Sequence, residues 1–253
     1  MENLDSKKQE NQEKQTGSPD EWCEKHQCKK DYGRCDKYHL KVCEKCEEEE
    51  EQKAKVRKMH SILGLPPRLK ECSFKKYKPS CESAKKILKE CMDYASGIAV
   101  YKNSMTMLGG VGTGKTHLAV SICKKVCDLG YEAKITTISE IIRDIRATWN
   151  NKTRVDDWGV KYEPETENQV IERYSNVFML VIDEIGSQYG SDSEKIIISE
   201  IINNRYNNIL PTIIIGNITM SEAQDYMGAR VIDRLKDAGK ILVFDWKSYR
   251  KPQ

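Results

Sequence analysis

Residues Gly109-Gly110-Val111-Gly112-Thr113-Gly114-Lys115-Thr116 form a complete G-x-x-x-x-G-K-S/T loop, and no other feature narrows the possible folds of this chain as far. The glycines let the backbone wrap closely around a polyphosphate with its N–H groups pointing inward, where a side chain would clash. Lys115 is placed to reach the β- and γ-phosphates and Thr116 offers a hydroxyl to Mg²⁺. The helix that starts there, with His117 in its first turn, aims its positive dipole end at the anion. Such a loop needs a strand before it and a helix after it, and both contexts are present. Thr106-Met107-Leu108 reads as a strand end; Leu118, Ala119, Ile122, Cys123 and Val126 recur at helical spacing up to Leu129, where Gly130 is a natural stop. The chain is therefore expected to bind a nucleoside triphosphate.

Around and beyond the loop the pattern alternates between two periods. Apolar runs at 105–108, 133–138, 177–182, 212–215 and 241–244 read as strands; patterns at 115–129, 140–149, 194–206, 221–227 and 230–238 read as helices. Strands separated by helices imply a parallel sheet with helices on both faces, a three-layer α/β fold with its phosphate site at the strands' carboxyl ends. The 253 residues suffice for one such domain and a small appendage, and 32% charged against 38% hydrophobic residues implies that part of the chain is not core. Residues 1–20, rich in Lys, Glu and Gln with Leu4 as sole aliphatic, are expected to be a disordered tail. Residues 47–60 open with glutamates and turn basic at Lys53, Lys55, Arg57 and Lys58, an order that suits a solvated helix. Leu65-Pro66-Pro67 ends it, and 81–97 carries Ala84, Ile87, Leu88, Cys91 and Met92 on one helical face.

Met179-Leu180-Val181-Ile182-Asp183-Glu184 is an apolar strand ending in two carboxylates. Asp183 would be delivered beside the loop to hold magnesium through water, and Glu184 could polarise an attacking water. Asn217 closes another apolar strand, where it either orients that water or serves as a turn residue. Arg230 and Arg234 lie four apart on one face of a helix, either paired with Asp233 and Asp237 at the surface or reaching a neighbouring subunit's γ-phosphate.

Ten cysteines in a chain with no secretory signal belong in a reducing compartment, as metal ligands or buried thiols and not as a disulfide framework. Cys23-x-x-His26 and Cys43-x-x-Cys46 have the spacing of a closed tetrahedral Zn²⁺ site, with Cys28, Cys35 and His39 as possible substitutes. The segment has too few aliphatic residues to fold without a metal. Cys72, Cys81, Cys91, Cys123 and Cys127 are expected to be buried thiols. No apolar run has membrane-spanning length, so a cytoplasmic protein is expected. A net charge of +3, from 42 basic and 39 acidic residues, neither favours nor excludes a nucleic-acid partner.

The chain resembles the DnaC/DnaI-type replicative helicase loaders, a branch of the AAA+ ATPases close to the initiator DnaA. The likeness runs over about residues 65–250. It rests on Leu65-Pro66-Pro67-Arg68, on Gly112-Thr113-Gly114-Lys115-Thr116-His117-Leu118-Ala119, and on Val181-Ile182-Asp183-Glu184-Ile185-Gly186. Asn203-Asn204-Arg205-Tyr206, Arg230-Val231-Ile232-Asp233-Arg234-Leu235 and Phe244-Asp245-Trp246-Lys247-Ser248-Tyr249-Arg250 extend it. The resemblance implies a P-loop AAA+ fold without a large lid domain, with ATP and Mg²⁺ as cofactors and ATP hydrolysis as the chemistry. It implies that Arg234 is an arginine finger for the next subunit with Arg230 beside it, that Asn217 is sensor 1, and that Arg250 is sensor 2. Gly216 stands where a serine is expected, which removes a hydroxyl and keeps the Asn217 amide. The helix at 139–150 would touch single-stranded DNA through Arg143 and Arg146, with Lys152 and Arg154 adding charge and Trp149 a stacking surface; the plainer reading is a solvated amphipathic helix. Residues 21–60 would form a zinc-binding module that grips a hexameric replicative helicase, and 61–253 the ATPase domain. Self-association would be head-to-tail, into a spiral or open ring, with ATP or helicase present. Alternatives are an IstB-like transposition helper and a non-catalytic adaptor gated by nucleotide.

Overall fold

The computed structural model describes residues 22–23, 25–26, 28–29, 31–32, 41–149, 154–155, 161–162, 165–186 and 192–250. The expected tail at 1–20, together with Cys35, His39 and Lys152, lies outside them. The chain divides into two compact units, Met1–Arg57 and Lys58–Gln253.

In the first unit two short antiparallel pairings, Trp22–Cys23 with Cys28–Lys29 and Asp31–Tyr32 with Lys41–Val42, precede residues 44–57 of helix α1 (Glu44–Leu63), whose residues 58–63 belong to the second unit. Residues 44–57 of α1 are polar except Cys46, Ala54 and Val56, and no residue among them is buried.

In the second unit five strands form one parallel sheet: β1 (Ser104–Gly109), β2 (Ala133–Thr137), β3 (Met179–Ile185), β4 (Thr212–Gly216) and β5 (Gly239–Phe244), in the order β5-β1-β4-β3-β2. Period-2 alternation splits their side chains between two cores. Met105, Met107, Val181, Ile213 and Ile215 pack against α2 (Glu82–Tyr101) and α3 (Lys115–Asp128). Leu180, Ile182 and Ile214 face the other core, built from α4 (Ile138–Trp149), α5 (Glu167–Asn176), α6 (Asp192–Asn207), α7 (Met220–Met227) and α8 (Ala229–Ala238). This is the expected three-layer arrangement, because strands apolar on both faces need helices on both sides.

Several boundaries differ from expectation. Helix α5 is absent from the sequence reading; Thr166 and Gln169 cap it reciprocally, and that signature precedes only a short apolar pattern. Strand β3 begins at Met179 and not at 177, because Val177 ends α5 and its carbonyl receives the Arg205 guanidinium at 2.7 Å. Cys81 is half-buried, not a buried thiol: its Sγ accepts the Ala84 N–H at 3.4 Å and caps α2, while Cys72, Cys91, Cys123 and Cys127 are buried.

Candidate nucleotide site and metal site

The carboxyl ends of β1, β3 and β4 open onto one cleft of about 700 Å³ in the second unit. Strand β1 ends at Gly109 and α3 begins at Lys115, so the loop between them forms the floor. Val111 to His117 line the cleft, as do Asp183, Glu184, Asn217 and Arg250. Gly109 and Gly110 lie at the strand end behind it, where the Gly110 N–H donates to Phe244 O at 3.2 Å.

Lys115 is nearly buried. Its Nζ donates to Gly109 O at 2.9 Å, Gly110 O at 2.6 Å and Thr113 Oγ1 at 3.3 Å, so the ammonium is held at the loop. Burial pulls its pKa below the ordinary lysine value; Asp183 opposes that shift and Arg250 adds to it. Thr116 Oγ1 donates to Asp183 Oδ2 at 2.8 Å, which brings together the hydroxyl and carboxylate suited to Mg²⁺, a hard cation held by few protein oxygens and several waters.

The placement of the acid pair has a local cause. Between the pairs Ile214–Ile182 and Gly216–Ile185, β3 carries one residue more than β4, so the strand bulges at Asp183-Glu184. Glu184 takes φ +63°, and its N–H donates to Asp183 Oδ1 at 2.7 Å. A bulge re-aims side chains at a strand end, and here it leaves Asp183 half-buried on Thr116 and Glu184 exposed in the cleft.

The far wall comes from residues that the sequence reading passed over as site residues. Leu63, Leu65, Arg68, Leu69 and Cys72 line it beside His117. His117 Nε2 lies 2.9 Å from Ser73 O and 3.2 Å from Ser73 N, fastening that segment to α3. Thr137 and Glu140 also line the cleft and cap α4: Glu140 N–H donates to Thr137 Oγ1 at 3.1 Å, and Thr137 N–H to Glu140 Oε2 at 3.0 Å. The Thr-x-x-Glu spacing was available as a capping signal.

The two helix arginines part company. Arg230 is exposed, whereas the Arg234 guanidinium lies 5.4 Å from the Tyr206 ring centroid with Nη1 buried and without a hydrogen bond. Neither lines the cleft of its own chain. On α4, Ile138, Ile141, Ile142 and Ile145 are buried, while Arg143, Arg146 and Trp149 are exposed in one row. The Trp149 Nε1 donates to Glu167 Oε2 at 3.1 Å, so its edge is held and its ring remains accessible.

In the first unit, one donor atom from each of Cys23, His26, Cys43 and Cys46 falls within 4.8 Å of the others. His26 Nδ1 lies 3.8 Å from Cys23 Sγ and 3.4 Å from both Cys43 Sγ and Cys46 Sγ; Cys23 and Cys46 sulfurs are 3.7 Å apart. Tetrahedral Zn²⁺ ligation sets donor edges of about 3.8 Å for S–S and about 3.6 Å for S–N. The set fits zinc. Cys28 pairs opposite Cys23 in the hairpin through its backbone, and its side chain lies outside the described residues. Glu49, unforeseen as a partner, lies three residues after Cys46 on α1 and accepts from His26 Nε2 at 2.8 Å, leaving Nδ1 to face the sulfurs. Lys25 and His26 together hold the Glu49 carboxyl down to about 2.

The loop after β1, the acid pair on β3 with β4 inserted between the two strands, and the β5-β1-β4-β3-β2 order define a P-loop nucleotide-binding protein of the AAA+ class. Residues 39–253 match the sequence model of the IstB-like ATP binding protein, and the chain belongs to that family. It is 32% identical over 204 residues to the replicative helicase loader DnaC of Escherichia coli K12, covering 80% of this chain and 79% of that one. In fold it is similar to the crystal structure of the DnaC helicase loader, with TM-score 0.60 at 23% identity over 71% of this chain and 99% of that chain. AMPPCP-bound DnaA from Aquifex aeolicus aligns with TM-score 0.59 at 17% identity over 72% of this chain and 52% of DnaA. Among the described residues no helix is long and apolar enough to cross a membrane.

Proposed function

We propose that this protein is an ATP-dependent loader that places a hexameric replicative helicase on single-stranded DNA. The observation that carries the reading is a complete nucleotide cleft in a chain collinear with DnaC over four-fifths of its length. In the cleft the loop N–H groups and Lys115 bind the triphosphate, and Thr116 with Asp183 holds Mg²⁺, which supplies charge neutralisation at the phosphates when bound. Glu184 takes the proton of the attacking water, Asn217 orients that water, and Arg250 steadies the γ-phosphate of its own subunit.

A finger from a neighbouring subunit completes hydrolysis. Arg234 is the assigned finger, and its stacking on Tyr206 means that it must swing out on assembly; exposed Arg230 is the second cation of the pair. The row Arg143, Arg146 and Trp149 combines charge with an aromatic face, which is what tracking a single strand requires. Zinc held by Cys23, His26, Cys43 and Cys46 organises residues 21–60 as the helicase grip, and residues 61–253 act as the ATPase domain. ATP-dependent head-to-tail assembly into a spiral or open ring would hold the helicase open in the cytoplasm, and hydrolysis would release it.

Native mass spectrometry of the full chain with a hexameric replicative helicase, with and without ATP, tests this reading. A stoichiometric complex lost on deletion of residues 1–60 is expected. ATP binding without any helicase complex would instead favour a transposase-regulating helper, the activity class of the rival reading.

A further inference from the structure

A loop that turns its N–H groups toward a polyphosphate must turn its carbonyls outward, and those carbonyls need donors of their own. Gly109 O and Gly110 O are served by Lys115, and for Gly112 and Thr113 the donors come from two segments far apart in the chain. Thr113 O accepts from the Trp246 indole N–H at 3.1 Å and from the Tyr77 hydroxyl at 3.4 Å. Gly112 O accepts from the Tyr249 backbone N–H at 2.9 Å.

The same residues press against the outer side of the loop. A Cβ built at Gly114, where φ is +95°, would lie 2.6 Å from the Tyr77 ring. One at Gly112, where φ is +75°, would lie 2.1 Å from Ser248 Oγ. The two segments also meet each other. Tyr77 and Tyr249 pack edge to face with centroids 5.8 Å apart, and Tyr249 Oη accepts from Ser80 N–H at 3.0 Å. Tyr77 is buried, and Arg250, the residue after Tyr249, lines the cleft.

We infer that Tyr77, Trp246 and Tyr249 form a clasp across the outside of the phosphate loop, and that they are positioning residues for the nucleotide. By holding the carbonyls of Gly112 and Thr113, the clasp keeps the N–H groups of the loop converged on the phosphates. By fixing Tyr249, it sets Arg250 on the phosphate side. None of the three needs to touch the nucleotide. Thr113 O has two donors, so each buffers the loss of the other.

The test is the affinity of the full chain for Mg-ATP, measured by calorimetry, for Tyr77→Phe, Trp246→Phe and the double variant. Tyr77→Phe keeps its ring and Trp246→Phe keeps a smaller aromatic ring; each removes one donor and should weaken binding by up to about fivefold. The double variant should weaken it by more than the product of the single effects, at least about thirtyfold, while the nucleotide-free unfolding midpoint moves no more than in a Tyr94→Phe control. Unchanged affinity in a folded double variant overturns the clasp, as does a loss that merely tracks a lowered midpoint. If the double variant does not fold, hydrogen exchange of the unmodified chain decides. Mg-ATP should slow exchange at 110–116 and 246–250 together, and protection confined to 110–116 overturns the inference. The clasp rests on the cleft being an ATP site. An unmodified chain that fails to bind Mg-ATP would overturn that reading, whereas normal binding with insensitive variants overturns the clasp alone.

Discussion

Arg205 is fully buried, and among the described residues no carboxylate pairs with it. Its guanidinium makes six hydrogen bonds, to Thr212 Oγ1 and to the carbonyls of Tyr174, Ser175, Val177, Phe178 and Pro211. Several of those carbonyls are the unsatisfied end of α5, where the helix dipole is negative, so backbone carbonyls carry most of the compensation of the charge. Burial pulls its pKa down to about 9, still above neutrality, so it is charged at pH 7. Arg205→Leu should cost about 3 kcal/mol or more, read from the urea midpoint, because the carbonyls would lose their donor. In the cleft, Glu184→Gln should lower ATP turnover by about a hundredfold or more while leaving Mg-ATP affinity within a few fold, since only the proton acceptor is removed. Sequence singled out Asp183 and Glu184 because an apolar run ended in them. It could not show Arg205 as a core cation, because its acceptors are carbonyls and any residue supplies those.

At the scale of elements, the capping box on α4 joins the cleft to the helix that carries Arg143, Arg146 and Trp149. Glu140→Ala should destabilise the protein by about 1 kcal/mol, measured by thermal unfolding. The core strands and their helices were legible because period 2 and period 3.6 persist across them. Helix α5 was not, since its buried face is only Val170, Ile171 and Tyr174 with the small Ser175. The metal cluster was legible from spacing because soft donors at fixed intervals are rare. Its partner Glu49 was hidden in a run of glutamates, where no local signal separates one acid from the next. Glu49→Ala should weaken zinc affinity by about 10–100-fold in a competition titration with a chromogenic chelator, by freeing the His26 ring.

For the whole molecule, deleting residues 1–60 is expected to abolish helicase capture while leaving Mg-ATP affinity of the remaining chain within a few fold. Co-sedimentation and calorimetry on the same preparation would check both. The roles of the two arginines on α8 were the least legible. Spacing alone made Arg230 and Arg234 look equivalent, whereas burial and packing against Tyr206 set Arg234 apart. The bulge at Asp183-Glu184 carries a last implication, for what selection has kept. Glu184 holds a left-handed backbone that costs a residue with a Cβ about 1 kcal/mol, and glycine would relieve it. Glu184→Gly should therefore melt about 2–4 °C above Glu184→Gln, though both lack the carboxylate. A lineage selected for endurance alone would drift to glycine at 184 and, under the proposed mechanism, fall silent; the glutamate there answers to a requirement that stability does not explain.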